Sequence, residues 1–203
     1  MKSEHLIAVK PFQHRRARLA RALGEGVLVM PTAPERARNA DSHYDYRWDS
    51  GFYYLTGFRE PESVLVIALG RKPRQILFCR EKNEEREIWD GFRYGPDAAR
   101  EIFGFDEAHP IAELDRILPD LATDRPALYT PLGLFEAWDR KVTGVLNEVR
   151  SRARTGVAAP GVVCTKPLNR TALDLSHPRE LIARRDDVGR RVWACGSALN
   201  LGR

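Results

Sequence analysis

Two short apolar runs, Val64 to Leu69 and Gln75 to Arg80, are separated only by the segment GRKPR. A connection that short joins antiparallel neighbours, since a parallel pair needs a crossover of a dozen or more residues, and Gly and Pro suit the turn. Helical spacing lies on both sides of this hairpin. Pro11 to Leu23 sets Phe12, Leu19 and Leu23 on one side of a basic helix, with Gly24 as its stop before a strand at Val27 to Met30. Helices are predicted over Glu84 to Phe92, Pro96 to Phe103 with Gly104 at its end, and Ile111 to Leu121. A strand at Ala127 to Thr130 precedes a longer helix on which Leu134, Trp138, Val142, Val145, Leu146 and Val149 recur at three- and four-residue steps. Strands alternate with helices throughout, so the expected class is α/β, a mixed β-sheet flanked by helices.

The stretch VAAPGVVCTKPLNR suits a final strand followed by a linker, because Pro160, Gly161 and Pro167 break regular structure. The expected organisation is one domain over 1–168, then a linker or lead-in over 169–203. Periodicity is weak in that tail, where Gly189, Gly196 and Gly202 each cost a helix roughly 1 kcal/mol relative to Ala.

Composition excludes several classes. At 43% hydrophobic and 30% charged residues the chain has material for a core and is no disordered polymer. No apolar run approaches the roughly 18 residues that span a membrane, and the opening run Leu6 to Val9 is shorter than the ~7–15 residues of a signal peptide. Cys79, Cys164 and Cys195 are odd in number and widely spaced, which fits buried free thiols in a reducing, cytoplasmic setting. Of the net charge of +5, the tail from Asn169 holds +3.

The motifs of common chemistries are missing. The five histidines form no HExxH or other short-range ligand pair, so no metal site is expected in this chain. Asp41, Asp45 and Asp49 recur every fourth residue, whereas a calcium loop needs alternate positions, a central Gly and a closing Glu; they read as capping or solvated groups. There is no GxxxxGK[ST] loop and no GxSxG elbow, and Gly24-Glu25-Gly26 precedes a strand where a phosphate loop would open a helix.

The most biased stretch is ADSHYDYRWDSGFYYLTGFREP, from Ala40 to Pro61, with seven aromatic residues between Tyr44 and Phe58. Such a cluster is either a packed corner or an interaction surface. Five acids against Arg47 and Arg59 give Ala40 to Glu62 a local charge of −3, which argues against stacking on nucleic acid. Phe52, Tyr54, Leu55 and Phe58 are expected to pack around a turn at Gly57. Asp41, Tyr44 and Arg47 are expected either to satisfy buried hydrogen bonds or to face another domain, with Arg47 paired to a nearby Asp.

The order Ala40-Asp41-Ser42, Tyr44, Tyr46-Arg47, Ser50, Phe52 to Phe58 and Glu60-Pro61 resembles the N-terminal domain of Xaa-Pro aminopeptidases (aminopeptidase P). Glu87-Ile88-Trp89-Asp90-Gly91, Arg93, Gly95 and Asp97-Ala98-Ala99 extend the resemblance, which covers roughly residues 10 to 168. It implies a creatinase N-terminal-domain-like sheet with a ribonuclease H-like motif, joined in the parent enzymes to a pita-bread metallopeptidase domain. Those enzymes remove an N-terminal residue that precedes proline, using two divalent ions, commonly manganese, bound by Asp, Asp, His, Glu and Glu of the second domain.

A pita-bread domain needs on the order of 250 residues, larger than most domains, and 35 follow Leu168. The expectation is therefore a chain without catalytic residues, cofactor or peptide substrate of its own, through truncation or a shifted reading frame. In the family this domain supports oligomerisation and walls the active site. The expected partners are a second copy or a relative containing the catalytic domain, with neither nucleic acid nor membrane. The resemblance makes Trp89 the candidate to reach across a subunit contact, with burial in its own domain as the alternative; Arg93 is expected on the same helix. A stand-alone interaction module or an inactive remnant are the other readings.

Overall fold

The computed structural model of the chain describes residues 9–40 and 42–164. The boundary expected at 168, the segment 169–203 and Asp41 lie outside the described residues. In chain order the elements are α1 (Val9–Leu23), β1 (Gly26–Pro31), β2 (Ala37–Asn39), β3 (Ser42–His43), α2 (Ser50–Thr56), β4 (Val64–Leu69) and β5 (Arg74–Cys79). They continue as α3 (Glu84–Asp90), α4 (Gly95–Phe103), β6 (Glu107–Pro110), α5 (Leu114–Ala122), β7 (Ala127–Thr130), α6 (Glu136–Ser151) and β8 (Gly161–Cys164).

Six strands form one mixed sheet in the order β6-β5-β4-β1-β7-β8, and β2 pairs with β3 in a small separate ribbon. The predicted hairpin is present: β4 runs antiparallel to β5 with Val66 opposite Ile76, and antiparallel to β1 with Val29 opposite Val66. β1, β7 and β8 are mutually parallel, as are β5 and β6, so β4 alone runs against the other five strands. Five strands consequently end, and β4 begins, along one edge of the sheet.

The alternation of side chains along each strand separates two cores. Leu28, Met30, Leu65, Ile67, Leu69 and Leu77 face the layer of α1, α2 and α4, meeting Leu19, Phe52, Leu55, Phe58 and Phe103. Val27, Val29, Val64, Val66, Ile76 and Phe78 face α5 and α6, meeting Leu114, Leu118, Trp138, Val142 and Val149. Every residue of β1 and β4 is buried, as continuous apolar strands covered on both faces require.

The short ribbon of β2 and β3, helix α2 and strand β6 escape the sequence patterns. The residues ahead of the expected turn at Gly57 are helical: Asp49 Oδ1 accepts the Phe52 N–H at 2.8 Å to cap α2, and Gly57 makes the turn that ends it, in the left-handed region at φ 70. Strand β6, Glu-Ala-His-Pro, has no apolar run to betray it; it is an edge strand held by pairing with β5.

Within the first layer Arg16 is fully buried. Its guanidinium donates to Leu55 O at 2.9 Å, Phe103 O at 3.1 Å and Gly104 O at 2.7 Å, to the Gln75 side chain, and lies over the Phe105 ring. Burial lowers its pKa to about 10, which leaves it charged at neutral pH. Replacing it by Met should cost about 3 kcal/mol or more, because several buried carbonyls lose their donor together; a urea midpoint within error of the wild type would refute this bridging role.

Candidate functional site

The edge at which the strands end collects several of the buried polar residues. Beyond β1, Thr32 Oγ1 lies 2.8 Å from the Tyr46 hydroxyl, which donates to Ala33 O at 2.9 Å. At the end of β7, Thr130 accepts from Trp138 Nε1 at 2.9 Å. Ahead of β4 and just beyond β5 lie two further buried charges, Glu60 and Arg80.

Glu60 Oε1 accepts the Tyr94 N–H at 2.7 Å, while its Oε2 faces Arg80 Nε at 4.0 Å, too far for a hydrogen bond. Neither of those facing atoms has a hydrogen-bond partner among the described residues. Burial raises the Glu60 carboxyl above its usual range, opposed by the Tyr94 N–H and by the charges of Arg80 and Arg93. The adjacent Cys79 thiol is buried and pushed up to about 12, mainly by desolvation, so it is inert as a nucleophile at neutral pH. Cys164, expected to be buried, is exposed at the end of the edge strand β8.

Over these charges lies α3. Asn83 caps it by accepting the Arg86 N–H at 2.9 Å, and Gly91 ends it at φ 81. Three apolar side chains here are turned outward: Ile88 is 78% exposed, Trp89 87% and Phe92 56%. Trp89 is thus no part of its own domain's core, which removes one of its two sequence readings. Arg93 does not continue α3 as expected; Gly91 places it in the turn before α4, where its N–H donates to Glu87 Oε1 at 3.2 Å.

The remaining sequence candidates are apart from this group. Tyr44 is exposed, and its N–H donates to Arg36 O at 3.0 Å. Arg47 pairs with no described Asp: it reaches Ser50 Oγ at 3.5 Å and lies over the Trp48 ring, which also receives Arg59. Asp41 lies outside the described residues. The acidic count along Ala40 to Glu62 also omits a neighbour, since α1, with Lys10 and four arginines and no acid, packs against α2. Arg15 lies over the Phe12 and Tyr54 rings, so cations and aromatics interleave there. Glu60 and Arg80 were missed in the sequence because nothing in their spacing signals that they meet.

Among the described residues no group of three or more His, Cys, Asp or Glu comes together to hold a metal ion. The manganese implied by the resemblance therefore has no ligand set in this part of the chain. No helix among the described residues is long and apolar enough to cross a membrane.

Comparison with known proteins follows the same line. Residues 12–129 match the family described as aminopeptidase P, N-terminal domain. The Xaa-Pro aminopeptidase of Escherichia coli is 36% identical over 161 residues, 77% of this chain and 36% of that protein. Xaa-Pro aminopeptidase 3 of Dictyostelium discoideum is 38% identical over 112 residues, 54% of this chain and 22% of that protein. The solved structure of Pseudomonas aeruginosa aminopeptidase PepP superposes with a TM-score of 0.73 at 40% identity, over 77% of this chain and 36% of that one. The chain spans about a third or less of the length of these curated relatives.

The sign of the Glu60 shift sets a testable pH dependence. Because its folded pKa exceeds the unfolded value near 4.5, its stabilising contribution is complete below that value and is lost as pH rises through the folded one. Glu60→Gln, neutral throughout, should therefore gain stability relative to wild type between pH 4 and pH 7 in urea unfolding. A relative loss over that interval would contradict the assignment.

Proposed function

The chain belongs to the aminopeptidase P, N-terminal domain family, and from that membership we propose that it serves as the non-catalytic, assembling part of a Xaa-Pro aminopeptidase-like protein. The parent activity is removal of an N-terminal residue ahead of proline, with divalent metal and peptide held by a separate catalytic domain. The part described here walls that site and brings subunits together.

The observation that carries this reading is the outward face of α3. Ile88 and Trp89 stand side by side and mostly exposed on a helix whose neighbours are charged. Large apolar side chains left in water at adjacent positions mark a contact surface more than a scattered exposed residue does, and tryptophan is the side chain most enriched at the energetic centres of interfaces. The occupant that fits is a second copy of the same protein, which would present Trp89 to the neighbouring active site.

Sedimentation velocity should show concentration-dependent self-association of the purified chain. Ile88→Glu and Trp89→Ala should each weaken it at least tenfold, a typical interface-centre effect, with far-UV circular dichroism unchanged because both side chains are exposed. A wild-type chain that stays monomeric at high concentration would remove the assembly reading. With added manganese the chain should release no product from Xaa-Pro peptides; turnover that survives removal of contaminating host peptidase would overturn the non-catalytic reading.

A further inference from the structure

Arg80, whose side chain is only 10% exposed, borders a cavity of about 630 Å³ that opens beside Trp89. A guanidinium stays ionised when buried, and it is costly there unless acceptors surround it. Arg16 shows how this chain meets that requirement elsewhere, with three carbonyls and an amide oxygen. Arg80 is treated differently. Its Nε has no hydrogen-bond partner among the described residues, and its ion-pair contact is Glu60 Oε2 at 4.0 Å. Glu60 itself is drawn toward the Tyr94 N–H.

The place is also one where ligands are expected. Arg80 follows the carboxyl end of β5, which lies beside the carboxyl end of β6, and open α/β sheets bind ligands in the crevice outside such ends. Arg86 and Arg93 line the same cavity, so three guanidiniums share it.

The opposing charges set the class of ligand. Glu35, Glu62 and Glu81 also border the cavity, and they disfavour a multiply charged anion that a purely basic pocket would accept. A single carboxylate suits the planar fork of one guanidinium. The exposed Trp89 ring offers an apolar wall for whatever that carboxylate is attached to.

We propose that the cavity between Arg80 and Trp89 binds the carboxylate of a small organic ligand, anchored by Arg80, flanked by Arg86 and Arg93, with its uncharged part against Trp89. The site belongs to this chain's own fold and does not require that α3 be a subunit contact. Loss of carboxylate binding with self-association intact would overturn the site alone, and the reverse result would overturn the assembly alone.

The test is an NMR titration of the ¹⁵N-labelled full chain at fixed ionic strength, following the Arg80 Nε–H signal. N-acetylglycine supplies a terminal carboxylate, N-acetylaspartic acid amide a side-chain carboxylate, N-acetylglycinamide the same backbone without charge, and inorganic phosphate a dianion. At least one carboxylate should give a saturable shift, and the preferred one identifies the natural source. Phosphate should bind at least fivefold more weakly and the neutral amide not at all. Arg80→Gln should abolish binding, followed then at the Trp89 indole N–H. Because that change touches a buried charge, Arg86→Gln and Trp89→Ala, both at exposed positions, serve alongside it and should each weaken binding at least threefold. The proposal fails if neither carboxylate gives a saturable shift, if the neutral amide shifts the signal equally, or if phosphate binds as tightly.

Discussion

The buried guanidinium of Arg16 holds the first helical layer to the sheet. It sits on α1, yet its acceptors come from the end of α2, the end of α4 and the first part of β5. The carbonyls at a helix terminus have no partner within the helix and must find one when buried. One side chain meets that need for two helices at once, which fixes where α2 and α4 stop relative to α1. Gly104 completes the arrangement: it adopts φ 64 after α4, and a Cβ there would run into the Gln13 side chain, which itself donates to Gly104 O at 3.3 Å. The positive φ favours glycine there, and any side chain would also displace the Gln13 amide from its bond.

Because α2 and α4 are placed in this way, the segments that leave them are placed too. Gly57 and Phe58 lead from α2 to Glu60, and Tyr94 precedes α4, so the carboxylate that accepts the Tyr94 N–H couples the two helices a second time at the sheet edge. The functional edge is thus an outcome of layer packing. Glu62, in the left-handed region at φ 51, turns the chain from this buried carboxylate into β4.

What could be read from the sequence was whatever leaves a periodic trace. Val64 to Leu69 shows its burial as an unbroken apolar run and the series from Trp138 to Val149 as helical spacing, and both elements stand close to where these patterns put them. Leu134, expected to open that helix, falls before α6 and is exposed. Strand β6 has no such trace, since its pairing with β5 holds it in place and its residues are only half buried. Helix α2 was hidden by its aromatic content, because Phe52, Tyr53 and Tyr54 are poor helix formers; the cap at Asp49 and burial against α1 decide the matter. The candidate site was legible only in part. Trp89 and Arg93 stood out through resemblance, whereas Glu60 and Arg80, twenty residues apart, meet only when the hairpin folds.

The outward apolar face of α3 poses a physical question: what holds a helix whose largest hydrophobic side chains are in water? The answer lies in polar contacts at its two ends. Lys82 Nζ lies 2.6 Å from Glu87 Oε1, donates to Arg93 O at 3.2 Å and lies 4.5 Å from the Phe92 ring centroid. Glu87 in turn accepts the Arg93 N–H, and these contacts, the bond from Lys82 first, hold its carboxyl below the usual range. Asn83 caps the first turn. Exposed ion pairs are individually weak, worth about 0–1 kcal/mol, but here they close a loop in which residues 82, 87 and 93 fix one another. A helix anchored through its termini does not need its apolar face for attachment. That division leaves Ile88 and Trp89 free to be presented in a defined direction, beside a cavity whose floor is a buried charge.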